Sequence, residues 1–579
     1  MTGQKAFDRA AGGAAGMKKL FPGKPRIAVG LATCGIAVGG QRVYDRLKEI
    51  IGKTGAGICL TKTGCIGYCR EEPLVNIAIP GQPLVILHRV TEEDAEGIVG
   101  AVRKGTVPHE KALCRVPSWD HMTGTVITYG TGFDEIPLYA EIPFFKHQKK
   151  VILRNAGFIN PEDIEEYLAV GGYAAAEQAL TRMDPESIIS EVEKSGLRGR
   201  GGAGFPTGTK WRITKDAPGK EKYIICNADE GDPGAYMNRN EMESDPHMLI
   251  EGMIIGAYAM GAKEGLIYIR AEYPLAIKRL RLAIDQARSC GFLGKNIFAV
   301  DEGRACGLHG KNIFGTGFDF DIRIATGAGA FVCGESTALV ASIEGRTGRP
   351  HPRPPRLTDP GGGLWGIPSD LNNVETWCNI PVIIRNGSGW YAKIGAEKNT
   401  GTKVFSLVGK VDRVGLVEVP LGTTLDTIVF DIGNGGGGGK KVKAVQTGGP
   451  SGGCIPVRLF DTPVNYESLN EVGSIMGSGG IVVMDEDTDM VDIARYFINF
   501  ATGESCGKCV PCREGLRHTL ILLNRIMAGK GSAKDLETLA LLADTIKNTS
   551  LCGLGQSAPN PVLTTLAYFR EEYDALVKP

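Results

Sequence analysis

The hydrophobic positions of the first 110 residues fall into short apolar runs separated by polar segments. Three of these runs, between residues 26 and 87, have the length of buried strands, and an amphipathic stretch covers residues 42–51. Short apolar runs bounded by turn residues predict strands, and apolar positions three and four apart predict a helix. Residues 20–110 therefore form a predicted small α/β domain. Residues 111–145, which contain several prolines and little periodicity, are predicted to be a linker.

Strand and helix patterns alternate through residues 146–400, which is typical of a parallel sheet covered by helices. Helical periodicity covers residues 161–170 and 174–193, and a helix–strand–helix series covers 246–290. A further helix is predicted to begin at Asn372-Asn373. This alternation predicts a Rossmann-like domain.

The last third of the chain changes its pattern twice. Residues 401–486 contain short strands with turn signals, which predict a separate, small β-rich domain. Residues 487–579 are helical in periodicity. Four helices are predicted there, at Met490–Phe500, Arg513–Ala528, Ala533–Asn548 and Asn560–Leu576. The whole chain is therefore expected to be a multidomain α/β protein with a C-terminal helical bundle.

Composition and charge narrow the possible function classes. The 65 basic and 65 acidic side chains balance, which argues against a nucleic-acid or membrane-surface protein. The most apolar stretch, Leu249–Ile269, is interrupted by Lys263 and Glu264, so no membrane span is predicted. Without an export signal, the clustered cysteines indicate metal or cluster ligands rather than disulfides, and a cytoplasmic protein is expected. Glycine, with 81 residues, has about twice its usual share.

The C-terminal cysteines are the most specific chemical feature. Cys506, Cys509 and Cys512 form a C-x2-C-x2-C motif, and Cys552 follows forty residues later. Three close thiolates and one distant thiolate suit a [4Fe–4S] cluster, in which each iron takes one terminal sulfur. A zinc site is the alternative, although zinc usually takes two close pairs of ligands.

Two polar or glycine-rich segments of the central domain are candidates for binding a phosphate or a nucleotide. Residues 199–204 contain four glycines, whose backbone amides could approach a phosphate, although a flexible loop would have the same composition. Acidic residues and an asparagine crowd positions 227–232. Such a group could bind a hard cation, cap a helix, or bind ribose hydroxyls and a flavin edge.

These features, in this order, resemble those of the NADH-binding flavoprotein subunit of respiratory complex I and its soluble relatives. Those relatives are the diaphorase subunits of electron-bifurcating or NAD(P)-linked hydrogenases and formate dehydrogenases. The resemblance extends from about residue 25 to the end of the chain. Its strings in this sequence are GLRGRGGAGFPTG, NADE, CGESTAL, NNVET and SCGKCVPCREG.

The resemblance implies a role for each of these segments. The glycine loop would cradle the FMN phosphate and the nicotinamide nucleotide, through Gly199, Arg200, Gly201, Gly202, Ala203 and Gly204. Phe205 would stack on the nicotinamide nucleotide, and Glu335 would lie beside the site of hydride transfer. Further cofactor contacts are implied for Lys210, Asn227, Asp229, Glu230, Asp232, Phe331, Gly334, Asn372, Asn373 and Thr376.

The same resemblance implies the folds of the other domains. The N-terminal domain would be a thioredoxin-like [2Fe–2S] domain, residues 401–486 a β-grasp domain of the soluble-ligand-binding type, and the C-terminal bundle the [4Fe–4S] domain. In the N-terminal domain Cys34, Cys65 and Cys69 match three of four expected ligands, but Val29 stands at the fourth position. Either Cys59 substitutes for the missing ligand, or the domain has lost its cluster and serves as a docking surface.

The expected function is reversible hydride exchange between NAD(P)H and FMN, followed by transfer of single electrons to the [4Fe–4S] cluster. The expected partners are a small [2Fe–2S] subunit and a catalytic or ferredoxin-interacting subunit. A complex I subunit proper and a non-catalytic, cluster-bearing scaffold are the alternatives. Two departures from the family pattern, Asp232 for a glutamate and Ser336 for an acidic residue, leave NADPH open beside NADH because fewer carboxylates would repel a 2′-phosphate.

Overall fold

The N-terminal domain is a five-stranded mixed sheet covered by two long helices. The computed structural model describes residues 13–295 and 316–578. The sheet has the order β2-β1-β3-β4-β5, with β1 parallel to β2 and the other pairs antiparallel. This arrangement agrees with the predicted thioredoxin-like fold. Its elements are α1 Gly13–Leu20, β1 Arg26–Gly30, α2 Thr33–Ala37, α3 Gly40–Thr54, β2 Cys59–Thr63, β3 Val75–Ala78, β4 Leu84–Leu87, α4 Asp94–Arg103 and β5 Ala112–Val116.

The predicted linker at residues 111–145 is in fact structured at both ends. Its first residues form β5, which pairs antiparallel with β4 and closes the N-terminal sheet. A short hairpin and a one-turn helix follow, β6 Ser118–Asp120, β7 Val126–Thr128 and α5 Pro143–Lys146. The prediction was wrong here because only Cys114 and Val116 of β5 are buried, and two apolar positions are too few to show a period.

The central domain is built on a four-stranded, fully parallel sheet with the order β10-β9-β8-β11. The predicted helix at 174–193 is two helices, because Pro185 cannot continue the first and Asp184 caps the second by accepting a hydrogen bond from Ser187 N–H. The elements are α6 Ile164–Ala169, α7 Ala174–Arg182, α8 Pro185–Ser195, α9 Thr207–Asp216, β8 Tyr223–Ala228, α10 Met237–Ser244, α11 Pro246–Met260, β9 Glu264–Arg270, α12 Pro274–Ser289, β10 Asp321–Gly327, α13 Ser336–Ile343, β11 Ser369–Asn373, α14 Val374–Asn386 and α15 Ser388–Tyr391.

The third domain is a mixed five-stranded sheet with the order β15-β14-β18-β16-β17, in which only β14 and β18 run parallel. A two-stranded ribbon, β12 Gly395–Ala396 and β13 Asn399–Thr400, precedes it. Its elements are β14 Thr402–Gly409, β15 Gly415–Pro420, β16 Val442–Thr447, β17 Cys454–Pro456, α16 Tyr466–Glu471 and β18 Gly480–Asp485.

The C-terminal domain is helical, as predicted, but its last predicted helix is divided at Phe569. Its helices are α17 Met490–Gly503, α18 Val510–Met527, α19 Ala533–Thr549, α20 Gly553–Ser557, α21 Asn560–Tyr568 and α22 Arg570–Asp574. Two short strands, β19 Gly531–Ser532 and β20 Val577–Lys578, pair at its edge. Its core is continuous with that of the central domain, because Leu339 and Leu364 pack in one cluster with Leu516 and Leu539. Within residues 13–295 and 316–578, no helix is long and apolar enough to cross a bilayer.

Candidate functional site

A cavity of about 840 Å³ opens where the central sheet changes its winding direction. The chain runs outward from β8 through β9 to β10, and β11 then returns to the other side of β8. The carboxyl ends of neighbouring parallel strands that wind in opposite directions form a crevice, the usual ligand site of such sheets. Asn227 at the end of β8 and Asn373 at the end of β11 both line the cavity.

The glycine loop forms one wall of this cavity and is tightly confined. Gly202 has a φ of +116°, and a Cβ there would lie 3.1 Å from the backbone of Gly477. Gly204 has a φ of +64°, and its Cβ would lie 2.6 Å from the ring of Tyr466. Positive φ combined with such close neighbours admits only glycine. The loop is therefore a fixed wall between two domains rather than a flexible segment.

The acidic group also lines the cavity and is largely buried. Burial raises the pKa of Asp229 to about 7, although Arg270 opposes the shift, and burial likewise raises the pKa of Asp232 to about 6. Glu230 accepts hydrogen bonds from the backbone N–H groups of Asn238 and Arg239, both at 3.0 Å. Among the residues that the structure describes, Asp229 Oδ2 has no hydrogen-bond partner. A buried acceptor without a partner inside a cavity fits a polar ligand such as the hydroxyl or N–H groups of a flavin nucleotide.

Glu335 lies at the edge of the cavity and begins α13. Its carboxylate accepts hydrogen bonds from the backbone N–H groups of Thr337 (2.9 Å) and Ala338 (3.0 Å), as an N-cap does. The guanidinium of Arg353 donates to Glu335 Oε1 (2.5 Å) and to the hydroxyl of Ser336 (2.6 Å). The positive charge of Arg353 therefore lies beside Ser336, at which the resemblance implies an acidic residue.

Most, but not all, of the predicted cofactor residues line this cavity. The structure brings eleven of them together there: Gly201, Gly202, Ala203, Asn227, Asp229, Glu230, Asp232, Phe331, Gly334, Glu335 and Asn373. Seven others lie outside its lining: Gly199, Arg200, Gly204, Phe205, Lys210, Asn372 and Thr376.

Arg200 shows why a residue of the glycine loop need not face the cavity. Its buried guanidinium donates to the backbone carbonyls of Arg198 (2.9 Å), Thr400 (2.7 Å) and Thr402 (3.0 Å). Its backbone N–H donates to the hydroxyl of Thr376 at 2.8 Å. The Arg200 side chain therefore holds the loop against the start of the third domain, and the Thr376 hydroxyl fixes the loop to α14 of the central domain.

The other outlying residues also have partners or positions of their own. The ammonium of Lys210 donates to the carbonyl of Leu371 and lies 3.8 Å from Asp370 Oδ1. The Asn372 amide donates to Asp370 Oδ2 at 2.5 Å. Phe205 is 49% exposed, so one face of its ring is open to solvent. Stacking of Phe205 on a nucleotide stays a prediction.

The third and C-terminal domains supply cavity residues that sequence reasoning missed. Tyr466 donates from its hydroxyl to the carbonyl of Gly199 (2.8 Å), and Ser478 donates to Asp232 Oδ2. Lys547 reaches the cavity from α19 and is, with Arg198, one of two cations in the described lining. No local pattern marks Tyr466 or Ser478, since they lie 267 and 246 positions from the residues that they meet.

The four C-terminal cysteines line one small cavity, as their spacing predicts. Cys509 precedes α18, Cys512 lies in its first turn, and Cys552 precedes α20. Four thiols with no carboxylate or imidazole beside them in the described lining are the donor set of a cubane cluster. Val332 and Leu554 line this cavity and also the larger one. The two sites therefore share a wall of apolar side chains.

A second group of thiols occupies the N-terminal domain. The sulfur atoms of Cys34, Cys65 and Cys69 all lie within 4.8 Å of one another. Cys59 is the first residue of β2, and Thr63 is the last. Four residues of strand, about 13 Å, separate Cys59 from the end of β2 that leads to Cys65. This position at the far end of β2, paired with Arg26, argues against the alternative in which Cys59 substitutes for the missing ligand.

The comparisons with known proteins agree with these sites. Residues 192–382 match the Nuo51 FMN-binding domain, and residues 492–576 match the NADH-ubiquinone oxidoreductase-F iron-sulfur binding region. The NADP-reducing hydrogenase subunit HndC of Solidesulfovibrio fructosivorans is 52% identical over 75% of this chain and 84% of its own. An NADH-quinone oxidoreductase subunit of Rhizobium meliloti is 42% identical over 74% of this chain and 97% of its own.

A solved structure resembles nearly the whole chain. It is that of an NAD⁺-reducing [NiFe]-hydrogenase in the H₂-reduced state, with a TM-score of 0.64 and 29% identity over 96% of this chain and 84% of that one. The chain therefore belongs to the family of flavoprotein subunits of NAD(P)-linked hydrogenases and complex I-type oxidoreductases, with the FMN-binding domain and the iron–sulfur binding region of that family.

Proposed function

We propose that this chain exchanges hydride between NAD(P)H and FMN in the 840 Å³ cavity and passes electrons singly to a [4Fe–4S] cluster. The observation that carries the proposal is the wall of Val332 and Leu554 shared by the cavity and the four-cysteine site. When bound, FMN supplies the conversion from two-electron to one-electron chemistry. The protein supplies position, exclusion of water and electrostatics.

Each wall of the cavity has a distinct task in this proposal. The backbone of Gly201 and Gly202 would hold the phosphate end of the flavin nucleotide. A Cβ at Gly201 would lie 3.2 Å from Asn373 Cβ, and one at Gly202 would lie 3.1 Å from the backbone of Gly477. Asp229, whose pKa is near 7, can hold a proton on its free Oδ2 or accept a hydrogen bond there. Glu335, fixed by the amides of α13, would lie beside the nicotinamide ring.

The test uses the full chain, loaded anaerobically with FMN, iron and sulfide. We expect NAD(P)H to bleach the flavin absorbance and to produce the electron paramagnetic resonance (EPR) signal of a reduced [4Fe–4S] cluster. In the Cys552→Ala variant the flavin should still bleach but this signal should be absent. A chain that binds no FMN would instead support the scaffold alternative.

We further propose that NADPH is accepted as well as NADH. Ser336 is neutral where the resemblance implies an acid, and Arg353, which also pairs with Glu335, donates to the Ser336 hydroxyl. A guanidinium favours a phosphate, and a carboxylate would repel it. The relative at 52% identity is itself named as an NADP-reducing hydrogenase subunit.

Two substitutions test the nucleotide preference. Ser336→Glu should lower kcat/KM for NADPH relative to NADH by tenfold or more, and Arg353→Ala should do the same by removing the cation. Arg349→Ala, in the same proline-rich segment, is the matched control and should leave the ratio unchanged. A wild-type chain that uses NADH alone would refute this part of the proposal.

The chain functions, in this proposal, as one subunit of a larger cytoplasmic oxidoreductase. The third domain would be a β-grasp domain, and the partners would be a small [2Fe–2S] subunit and a catalytic or ferredoxin-interacting subunit. Support comes from the relatives, which are named as hydrogenase and quinone-oxidoreductase subunits. Purification of the native complex would name these partners. Electron bifurcation would require simultaneous reduction of two acceptors by the complex.

A further inference from the structure

The three thiols of the N-terminal domain form an incomplete ligand set for an iron–sulfur cluster. Iron in such clusters is four-coordinate, so a two-iron cluster needs four ligands from the protein. Val29, at the position where a fourth cysteine is expected, lies fully buried in the apolar core of the domain. Cys59 is held at the far end of β2. The fourth ligand must therefore come from another residue.

Glu72 has the position that this ligand requires. It follows Cys69 by three residues and is almost fully buried. Its Oε2 accepts a hydrogen bond from the backbone N–H of Leu74 at 2.9 Å, which turns Oε1 toward Cys34 Sγ at 4.0 Å. Two ligand atoms on one tetrahedral iron lie about 3.5–4 Å apart, given bond lengths of about 2.0–2.3 Å to oxygen and sulfur.

We propose that Cys34, Cys65, Cys69 and Glu72 together bind a [2Fe–2S] cluster, in which Glu72 shares an iron with Cys34. The carboxylate is not part of the group of atoms that lie within 4.8 Å of one another. Binding the irons displaces three thiol protons and leaves the carboxylate ionised, so each ligand carries one negative charge.

The surroundings of the thiols suit a negatively charged cluster. The N–H of Gly67 donates to Cys65 Sγ (3.3 Å), and the hydroxyl of Tyr236 donates to Cys69 Sγ (3.4 Å). The ammonium of Lys150 is buried close by and donates to the carbonyl of Ile66 at 3.2 Å. Hydrogen bonds to the sulfur ligands and buried positive charge both stabilise such a cluster.

The carboxylate itself is packed against glycine backbone. A Cβ at Gly35, next to Cys34, would lie 3.0 Å from Glu72 Oε2, and one at Gly30 would lie 3.2 Å from it. Glycine at these two positions leaves the space that the carboxylate fills. The neighbouring Glu71 points elsewhere, because its carboxylate binds His88 (2.5 Å) and Arg89 (2.8 Å).

The test measures iron, sulfide and EPR spectra of the full chain after anaerobic reconstitution. The wild type should hold about six irons, four in the C-terminal site and two in the N-terminal site. Glu72→Gln should hold about four and lose the [2Fe–2S] signal while it keeps the [4Fe–4S] signal. Glu72→Cys should restore six irons with altered g values and a stronger sulfur-to-iron charge-transfer absorbance.

Two control variants exclude the obvious alternatives. Glu71→Gln removes a buried carboxylate from the same loop and should keep six irons with an unchanged spectrum. Tyr236→Phe should also keep six irons; loss of two would assign the fourth ligand to the phenol instead. Four irons in the wild type, or six with unchanged g values in Glu72→Gln, would overturn the proposal. Retained FMN and [4Fe–4S] signals keep this outcome separate from the proposed flavin function.

Discussion

The two cysteine sites of this chain differ in how their ligands are brought together. The C-terminal site takes three of its four thiols from seven consecutive residues at the start of α18, so local spacing nearly completes it. The N-terminal site takes Cys34 from α2 and the other two from the loop after β2. Helix α10 of the central domain covers it, through contacts of Asn240 and Ser244 with Cys65. Local spacing therefore specifies most of the first site and only part of the second.

The largest effect should come from removing one ligand at each site in turn. Cys552→Ala should remove about four irons per chain, because a cubane needs all four thiolates, and Cys34→Ala should remove about two. Iron analysis with EPR spectroscopy measures both losses. Cys59→Ser is the control and should keep all six, since β2 holds Cys59 at its first residue, paired with Arg26. Equal losses in the two ligand variants would show that the sites do not assemble independently.

The 840 Å³ cavity beside the C-terminal site offers the next test. Gly202→Ala should reduce bound FMN by tenfold or more, because a Cβ there would meet the backbone of Gly477. Gly219→Ala has a comparable φ of +101° with no atom within 4 Å, so it should keep FMN and cost about 1 kcal/mol of stability. Flavin absorbance after gel filtration gives the measurement. Unchanged iron in both variants would show that the clusters form without the flavin.

Asp229 should give a pH-dependent effect in the same cavity. Its folded-state pKa of about 7 lies above the ordinary value of 3.8, so its contribution to folding is present below pH 4 and is lost as pH rises toward 7. The free energy of unfolding of the wild type should therefore fall between pH 5 and 7, by at most about 1.4 kcal/mol per pH unit through this group. Asp229→Asn should abolish this part of the decrease. Denaturant unfolding of the apoprotein measures this. The exposed Asp216→Asn is the control, and equal slopes in both variants would contradict the prediction.

The smallest expected effect concerns Tyr236, which reaches the N-terminal thiols from the central domain. Tyr236→Phe removes one hydrogen bond to Cys69 Sγ, so the reduced, more negative cluster should lose about 1 kcal/mol of stabilisation. A redox titration followed by EPR should show a more negative midpoint for the N-terminal signal. The C-terminal signal is the internal control, and a shift in both would point to a general change in folding.

The domain order and most helices and strands could be predicted from periodicity. The patterns of β8, β9 and α11 are clear because these elements are regular and buried almost throughout. The pattern of α18 is clear because this long helix is buried on one side. β5 could not be predicted, because its pairing with β4 determines it more than its own five residues do. The break after α7 was signalled by Asp184-Pro185, although the prediction passed over it.

The site residues divide in the same way. The glycine loop and the asparagines at the ends of β8 and β11 could be placed from motifs, because the carboxyl ends of parallel strands bind ligands. The roles of Arg200 and Thr376 could not be predicted, since their partners are distant along the chain. The Arg200 guanidinium donates to the Thr402 carbonyl of the third domain, and the Thr376 hydroxyl accepts from the Arg200 N–H. Glu72 was passed over because a carboxylate beside a thiol motif has no signature in spacing.

The sequence by itself determined the ligands that lie close together along the chain: the C-x2-C-x2-C motif, the glycine loop and the turns after β8 and β11. These depend on local backbone geometry, which a few consecutive residues specify. Only the tertiary structure decided which residues from distant segments complete each site. Tyr466 and Ser478 close the cavity, Val332 and Leu554 join it to the four-cysteine site, and Glu72 turns toward Cys34. Such contacts form when distant segments pack together in the folded chain, so they cannot be predicted from residue spacing in the sequence.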